Sequence, residues 1–143
     1  MSSSIRYRSH SAAETEALGA ELAATLRAGD MVLVEGDLGA GKTTFVRGAC
    51  RALGVTVPVT SPTFTIGQRY PAPVPVSHLD LYRLESMDDE DPDLLADYLG
   101  PETISFVEWP GVGEQRIAAF ASVARRVRLE HAGGEQRVVE LEA

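Results

Sequence analysis

The chain has 143 residues, a length that fits a single domain over 1–143 and disfavours an appended second one. Apolar residues make up 44% of it, enough to fill the interior of a globule that hides roughly 70% of its unfolded surface. Thirteen basic residues against 21 acidic ones give a net charge of −8, the wrong sign for gripping nucleic-acid phosphates unaided, so autonomous nucleic-acid binding is not expected.

Ser11-Ala-Ala-Glu14 has the capping-box pattern, and Leu18, Leu22 and Leu26 recur at four-residue intervals up to Gly29. This spacing predicts a helix over about 12–28, with Gly29 as a left-handed stop. Met31-Val-Leu-Val34 is a short continuous apolar run that suits a central strand covered on both faces. A second helix is predicted from Gly41 or Lys42 to about Leu53, stopped by Gly54. Strand character follows over Thr63–Tyr70 and Val74–Arg83, separated by the extended segment around Pro71, Pro73 and Pro75 and able to pair as neighbours. The acidic stretch from Met87 to Asp93 reads as a loop leading into a short helix near Leu94–Leu99. Thr103–Glu108 reads as another buried strand, and Val123–His131 with Glu135–Leu141 flank Gly133-Gly134 as a hairpin.

Cys50 is the only cysteine, which excludes an internal disulfide and a Cys-rich zinc site, and His10, His78 and His131 stand far apart in the chain. No apolar run approaches the roughly 20 residues of a membrane span, and the first residues lack the basic-then-apolar order of a secretory signal. A cytoplasmic protein with no membrane partner is expected.

The strongest chemical signal is Gly36-Asp-Leu-Gly-Ala-Gly41-Lys42-Thr43, which fits G-x-x-x-x-G-K-[ST] with an apolar strand before it and a helical pattern after it. Glycines let successive amides curl around phosphate oxygens, and the following helix adds its positive N-terminal end. The nucleotide is therefore expected along Gly36, Asp37, Leu38, Gly39, Ala40, Gly41, Lys42, Thr43 and Thr44. Lys42 supplies a charge to the β and γ phosphates, and Thr43 a hydroxyl for the Mg²⁺ that bridges them. Asparagine is absent from the whole sequence, so the Asn-Lys-x-Asp element that reads guanine cannot be present, and ATP is the expected nucleotide.

Two acids compete for the second metal position. Ile104-Ser-Phe-Val-Glu108 is an apolar strand ending in a carboxylate, and Asp80 lies within Val76-Ser-His-Leu-Asp80-Leu-Tyr. Either can hold Mg²⁺ directly or through water while the other orients the attacking water. On pattern alone Glu108 is the better ligand. Asp97-Tyr-Leu-Gly100 mimics a GTPase element but follows no buried strand. Thr60-Ser-Pro-Thr63 offers three hydroxyls around a rigid proline, a composition that suits either a loop sensing γ-phosphate or a plain turn.

Together, Gly36-Asp-Leu-Gly-Ala-Gly-Lys-Thr-Thr-Phe45, Thr60-Ser-Pro-Thr-Phe64, His78-Leu-Asp-Leu-Tyr-Arg-Leu84 and Glu108-Trp-Pro110 occur in an order and spacing that resemble the TsaE family of bacterial tRNA-modifying ATPases. The resemblance covers about residues 10–112 and loosens after Gly113. It implies a single P-loop NTPase domain that works with the TsaD and TsaB proteins in forming N6-threonylcarbamoyladenosine at position 37 of tRNA, meeting the tRNA indirectly and powering a resetting step. By the same analogy Thr43 and Glu108 are Mg²⁺ ligands, Asp80 is a Walker-B-like acid, and Thr60 to Thr63 form a switch-like loop. Trp109, Ser11, Thr15 and Arg137 are implied near the nucleotide.

The expected architecture is therefore an α/β domain whose mostly parallel sheet is flanked by helices and finished by a C-terminal antiparallel hairpin. Lys42, Asp80 and Glu108 are its expected catalytic residues. No arginine finger is evident near the phosphate loop, so slow, partner-stimulated hydrolysis is expected. A small-molecule kinase and a nucleotide-sensing module with negligible turnover are the alternatives.

Overall fold

A computed structural model describes residues 4–37, 40–60, 67–80, 98–108 and 122–142. The described residues form seven strands and two helices, in the order β1 (Ser4–Ser9), α1 (Ala12–Ala23), β2 (Asp30–Gly36), α2 (Lys42–Ala52), β3 (Gly67–Tyr70), β4 (Val76–Asp80), β5 (Ile104–Glu108), β6 (Ser122–His131) and β7 (Arg137–Glu142).

The strands form one sheet in the order β1-β7-β6-β2-β5-β4-β3. Its centre is parallel, because β2 pairs with both β5 and β6, and β5 pairs with β4 in the same direction. Both flanks are antiparallel: β3 on β4, and β7 between β6 and β1. The expected mostly parallel sheet is therefore a mixed one, parallel over four central strands. A direct hairpin reverses the chain and makes antiparallel neighbours, whereas only a crossover makes parallel ones. The predicted β6–β7 hairpin and the predicted β3–β4 neighbours are both present.

The apolar run of β2 is buried on both faces, as its lack of alternation requires. Val32 and Val34 join Ile104, Phe106, Val76, Val127 and Leu129 in a core packed with Phe45, Val46, Ala49 and Cys50 of α2 and Leu22 and Ala23 of α1. Met31, Leu33, Leu79 and Val107 point to the opposite face and are buried as well.

Helix α1 starts as its sequence predicts, with the Ser11 hydroxyl accepting from the amide of Glu14 at 3.1 Å. Glu14 reaches back one residue further than a reciprocal box would take it. Its carboxylate accepts from the His10 amide at 2.6 Å, and that bond holds its pKa below the usual glutamate value. The helix ends at Ala23, five residues short of the predicted end at about 28. Both the amide and the hydroxyl of Thr25 take the Leu22 carbonyl, at 2.9 and 2.7 Å, which tightens the last turn. Gly29 still adopts a left-handed conformation, with φ 93°, but in the turn into β2, where its amide donates to Thr103.

Strand β1 has no counterpart among the predicted elements. Its first five residues are exposed, and its order comes from a six-residue register with β7 instead of from a buried face. The predicted 63–66 and 81–83 strand ends, the 87–93 loop and the start of the 94–99 helix lie outside the described residues.

The two helices cross with their backbones in contact. A Cβ at Gly19 would lie 2.1 Å from the Phe45 carbonyl oxygen, and one at Gly48 would lie 2.0 Å from that of Glu16. Neither position admits a methyl group unless the helices separate, which also opens the core beneath them. Gly48→Ala is expected to cost about 1–3 kcal/mol of folding stability, measured by urea denaturation. Cys50, fully buried in α2, has its thiol pushed up to about 12 by desolvation. It is expected to resist a thiol-directed disulfide reagent at mildly alkaline pH in the native state and to react at once in denaturant.

Candidate functional site

The Gly-rich segment closes a strand-turn-helix unit between β2 and α2. Gly36 and Gly41 have φ 148° and 99°, conformations that side-chain-bearing residues rarely adopt. A Cβ at Gly36 would also lie 2.5 Å from the Leu129 carbonyl oxygen of β6. Ala40 is buried and donates its amide to the Asp37 carbonyl at 3.0 Å, pulling the loop back on itself. Gly41 occupies the N-cap of α2, and no side chain caps that helix. Thr43 and Thr44 follow, partly exposed, in its first turn. Leu38 and Gly39 lie outside the described residues.

Lys42 is 5% exposed, and its ammonium donates to the carbonyls of Gly36 and Asp37, the latter at 3.2 Å. Burial lowers its pKa from the ordinary 10.5, against the opposing attraction of Glu108, Asp80 and Asp37. All three carboxylates thus act on one cation.

Strand register explains this meeting. Val34 is paired with Glu108, and Glu108 with Asp80, so the two acids stand level with each other on β5 and β4, two residues before β2 reaches Gly36 and the loop begins. This edge, outside the carboxyl ends of parallel strands, is where open α/β sheets place their ligands. Glu108 is 2% exposed, whereas Asp80 is partly open. Among the described residues no group of three or more His, Cys, Asp or Glu could cage a metal. Mg²⁺ asks for less: it keeps waters and takes one or two carboxylates plus substrate phosphates. The hydroxyl of Thr43 with the oxygens of Asp80 and Glu108 is a hard donor set of that kind.

The other sequence-derived candidates divide. Arg137 is brought to the loop, since a Cβ at Gly41 would lie 3.7 Å from its Nε and 3.8 Å from its Cγ. Arg137 is remote in sequence, and the β6–β7 hairpin carries it back. Its Nη1 donates to the carbonyls of Gly134 and Gln136 at 2.7 and 2.8 Å. Ser11 is the α1 cap. Thr15 is 2% exposed, with its hydroxyl 2.6 Å from that of Ser9 and 3.3 Å from the Ser11 carbonyl. Thr60 is exposed, and its carbonyl accepts from the Tyr70 hydroxyl at 3.4 Å. Thr63 and Trp109 lie outside the described residues.

Sequence reasoning passed over His78 as an isolated histidine. It is fully buried on β4, and its Nε2 is hydrogen-bonded to Oε2 of Glu108. A signal was available. His78 precedes Asp80 by two residues inside an apolar strand, so the two share one face.

The fold and this edge define a mixed α/β domain with a glycine loop, a buried lysine and two strand-end acids. The model of the family described as "Threonylcarbamoyl adenosine biosynthesis protein TsaE" matches residues 9–139, and the chain belongs to the TsaE family. A tRNA threonylcarbamoyladenosine biosynthesis protein TsaE from Streptomyces coelicolor is 42% identical over 121 residues, covering 82% of this chain and 80% of that one. Its namesake in Bacillus subtilis is 37% identical over 141 residues, covering 97% and 85%. Among solved structures, the crystal structure of YdiB from Bacillus subtilis superposes with a TM-score of 0.76 at 30% identity, over 100% of this chain and 87% of that one.

Lys42 carries a pH signature. Between its lowered pKa and 10.5 the unfolded chain holds a proton that the native state has released, so native stability gains as pH rises. The stability of the protein relative to Lys42→Met is expected to climb as pH rises toward 10.5 and to level off above it, read from urea denaturation across that range.

Proposed function

We propose that this chain is a P-loop ATPase of threonylcarbamoyladenosine formation in tRNA, hydrolysing MgATP to reset a complex of TsaD and TsaB. The observation that carries the reading is the convergence of Glu108, Asp80 and Asp37 on Lys42 at the carboxyl edge of the parallel strands. Phosphoryl transfer needs positioning and charge compensation more than covalent chemistry, and this edge is built from groups that do both.

In this reading the glycine loop wraps the β and γ phosphates of ATP with its amides, and the uncapped start of α2 directs its dipole at them. Lys42 exchanges the carbonyls of Gly36 and Asp37 for phosphate oxygens, which suits its buried charge better than neutral acceptors do. Thr43, Glu108 and Asp80 would hold Mg²⁺, which would supply neutralisation of the charge on the β- and γ-phosphate oxygens. In this reading Asp80, the more exposed acid, also orients the attacking water.

Turnover is slow without a partner in this scheme, for a reason the fold supplies. The arginine beside the loop, Arg137, donates to carbonyls of its own hairpin. An arginine that reaches the transferring group accounts for a factor of about 10³–10⁵ in phosphoryl transfer. Docking of TsaD and TsaB on this end of the molecule would free it. The chain's net charge of −8 fits a subunit that leaves tRNA contact to its partners in the cytoplasm. Among the described residues no helix is long and apolar enough to cross a membrane.

Lys42→Ala is expected to remove about 3–4 kcal/mol of transition-state stabilisation, seen as the loss of nearly all single-turnover phosphate release. Unchanged turnover would sink the assignment. Phosphate release by the native protein is expected to rise on adding TsaD and TsaB. A phosphorylated small-molecule acceptor in place of free phosphate would identify a kinase instead.

A further inference from the structure

We infer that His78 is a positioning residue for Glu108. Its Nε2 is hydrogen-bonded to one carboxylate oxygen of Glu108 and so leaves the other for the metal-nucleotide edge. The inference rests on the reading of Glu108 as a Mg²⁺ ligand and goes beyond it.

The meeting is a product of sheet geometry. His78 is paired with Phe106, and Asp80 with Glu108, so His78 and Glu108 are diagonal neighbours on one face of two parallel strands. Such neighbours are within reach of long side chains. Both are shut away from water, with side-chain exposures of 0% and 3%. A carboxylate so placed is costly unless its oxygens are hydrogen-bonded, and the Nε2 contact accounts for one of them.

Nδ1 of His78 is buried and has no hydrogen-bond partner among the described residues, so the ring's polar contact there is the one through Nε2 to Glu108.

Glu108 in turn heads the charges that act on Lys42, so the orientation His78 imposes is passed to the loop. Partners of this sort, which hold a ligating carboxylate through a second hydrogen bond, change metal affinity by about 10–100-fold when removed. Core packing alone would not do this. Leucine fills most of the ring's volume and offers no proton, whereas glutamine can offer an amide proton from near the Nε2 position.

The test titrates Mg²⁺ into the folded protein saturated with AMP-PNP, by calorimetry, and separately measures AMP-PNP binding in EDTA. His78→Leu is expected to weaken Mg²⁺ by about 10–100-fold while metal-free nucleotide binding stays within twofold, and His78→Gln is expected to recover most of the loss. Mg²⁺ affinity unchanged in His78→Leu, an equal loss with and without metal, or a glutamine variant no better than leucine would each overturn the inference. Glu108→Gln keeps the two readings apart. If it leaves Mg²⁺ binding intact, the assignment of Glu108 as ligand fails; if it weakens binding and His78→Leu does not, the positioning role fails.

Discussion

The parallel register of β2, β5 and β4 is the constraint on which the rest of the molecule depends. Because Val34, Glu108 and Asp80 stand side by side, the two acids share one edge with the residues of β2 that lead into the loop. A shift of one residue in β5 would turn Glu108 to the opposite face and bring Val107 into its place. The apolar residues enforce the register. Val32, Phe106 and Val76 face α2, while Met31, Leu33, Val107 and Leu79 are buried behind them. Neither face tolerates the exchange, so the hydrophobic core and the placement of the acids are one requirement.

Charge at that edge is kept in place by compensation. Lys42 loses hydration, leans on two loop carbonyls and is drawn toward three acids; the loss of water outweighs the attraction and lowers its pKa. Glu108 loses its water too and is hydrogen-bonded to Nε2 of His78. Nearby, Glu35 is held by Arg126 and Arg128, and Arg126 also faces Glu142. These partly exposed pairs contribute little stability, but they tie the last residues of β2 to the hairpin that carries Arg137. Loop, acids and hairpin are therefore a single polar layer set on an apolar one, consistent with a family whose members act in tRNA threonylcarbamoyladenosine biosynthesis.

Elements with a strong local signature were legible. The loop motif, the apolar β2 run, the Ser11 cap and the glycine stop after α2 each depend on residues within a few positions of one another. Helix α1 ended early because Thr25 competes for a carbonyl, an effect that four-residue leucine spacing does not encode. Strand β1 was invisible since Ser-Ile-Arg-Tyr-Arg-Ser buries almost nothing and exists as a strand only against β7. The β6–β7 hairpin was legible from its glycine turn and β3 with β4 as neighbours, but the antiparallel direction of the β3–β4 pair was not, because pairing direction belongs to two strands at once.

What the sequence by itself determined was the chemistry on offer: a glycine loop, a lysine and a threonine after it, two acids closing or following apolar runs, and a family resemblance that the comparisons bear out. Only the tertiary structure decided which groups meet. It set Glu108 between Lys42 and a buried histidine, laid Arg137 against Gly41, and kept Thr15 in a local hydroxyl network with Ser9. The physical reason is range. Backbone conformation and helix capping act over a few residues, whereas desolvation and hydrogen bonding between side chains 30 or more positions apart exist only after the sheet has closed the distance.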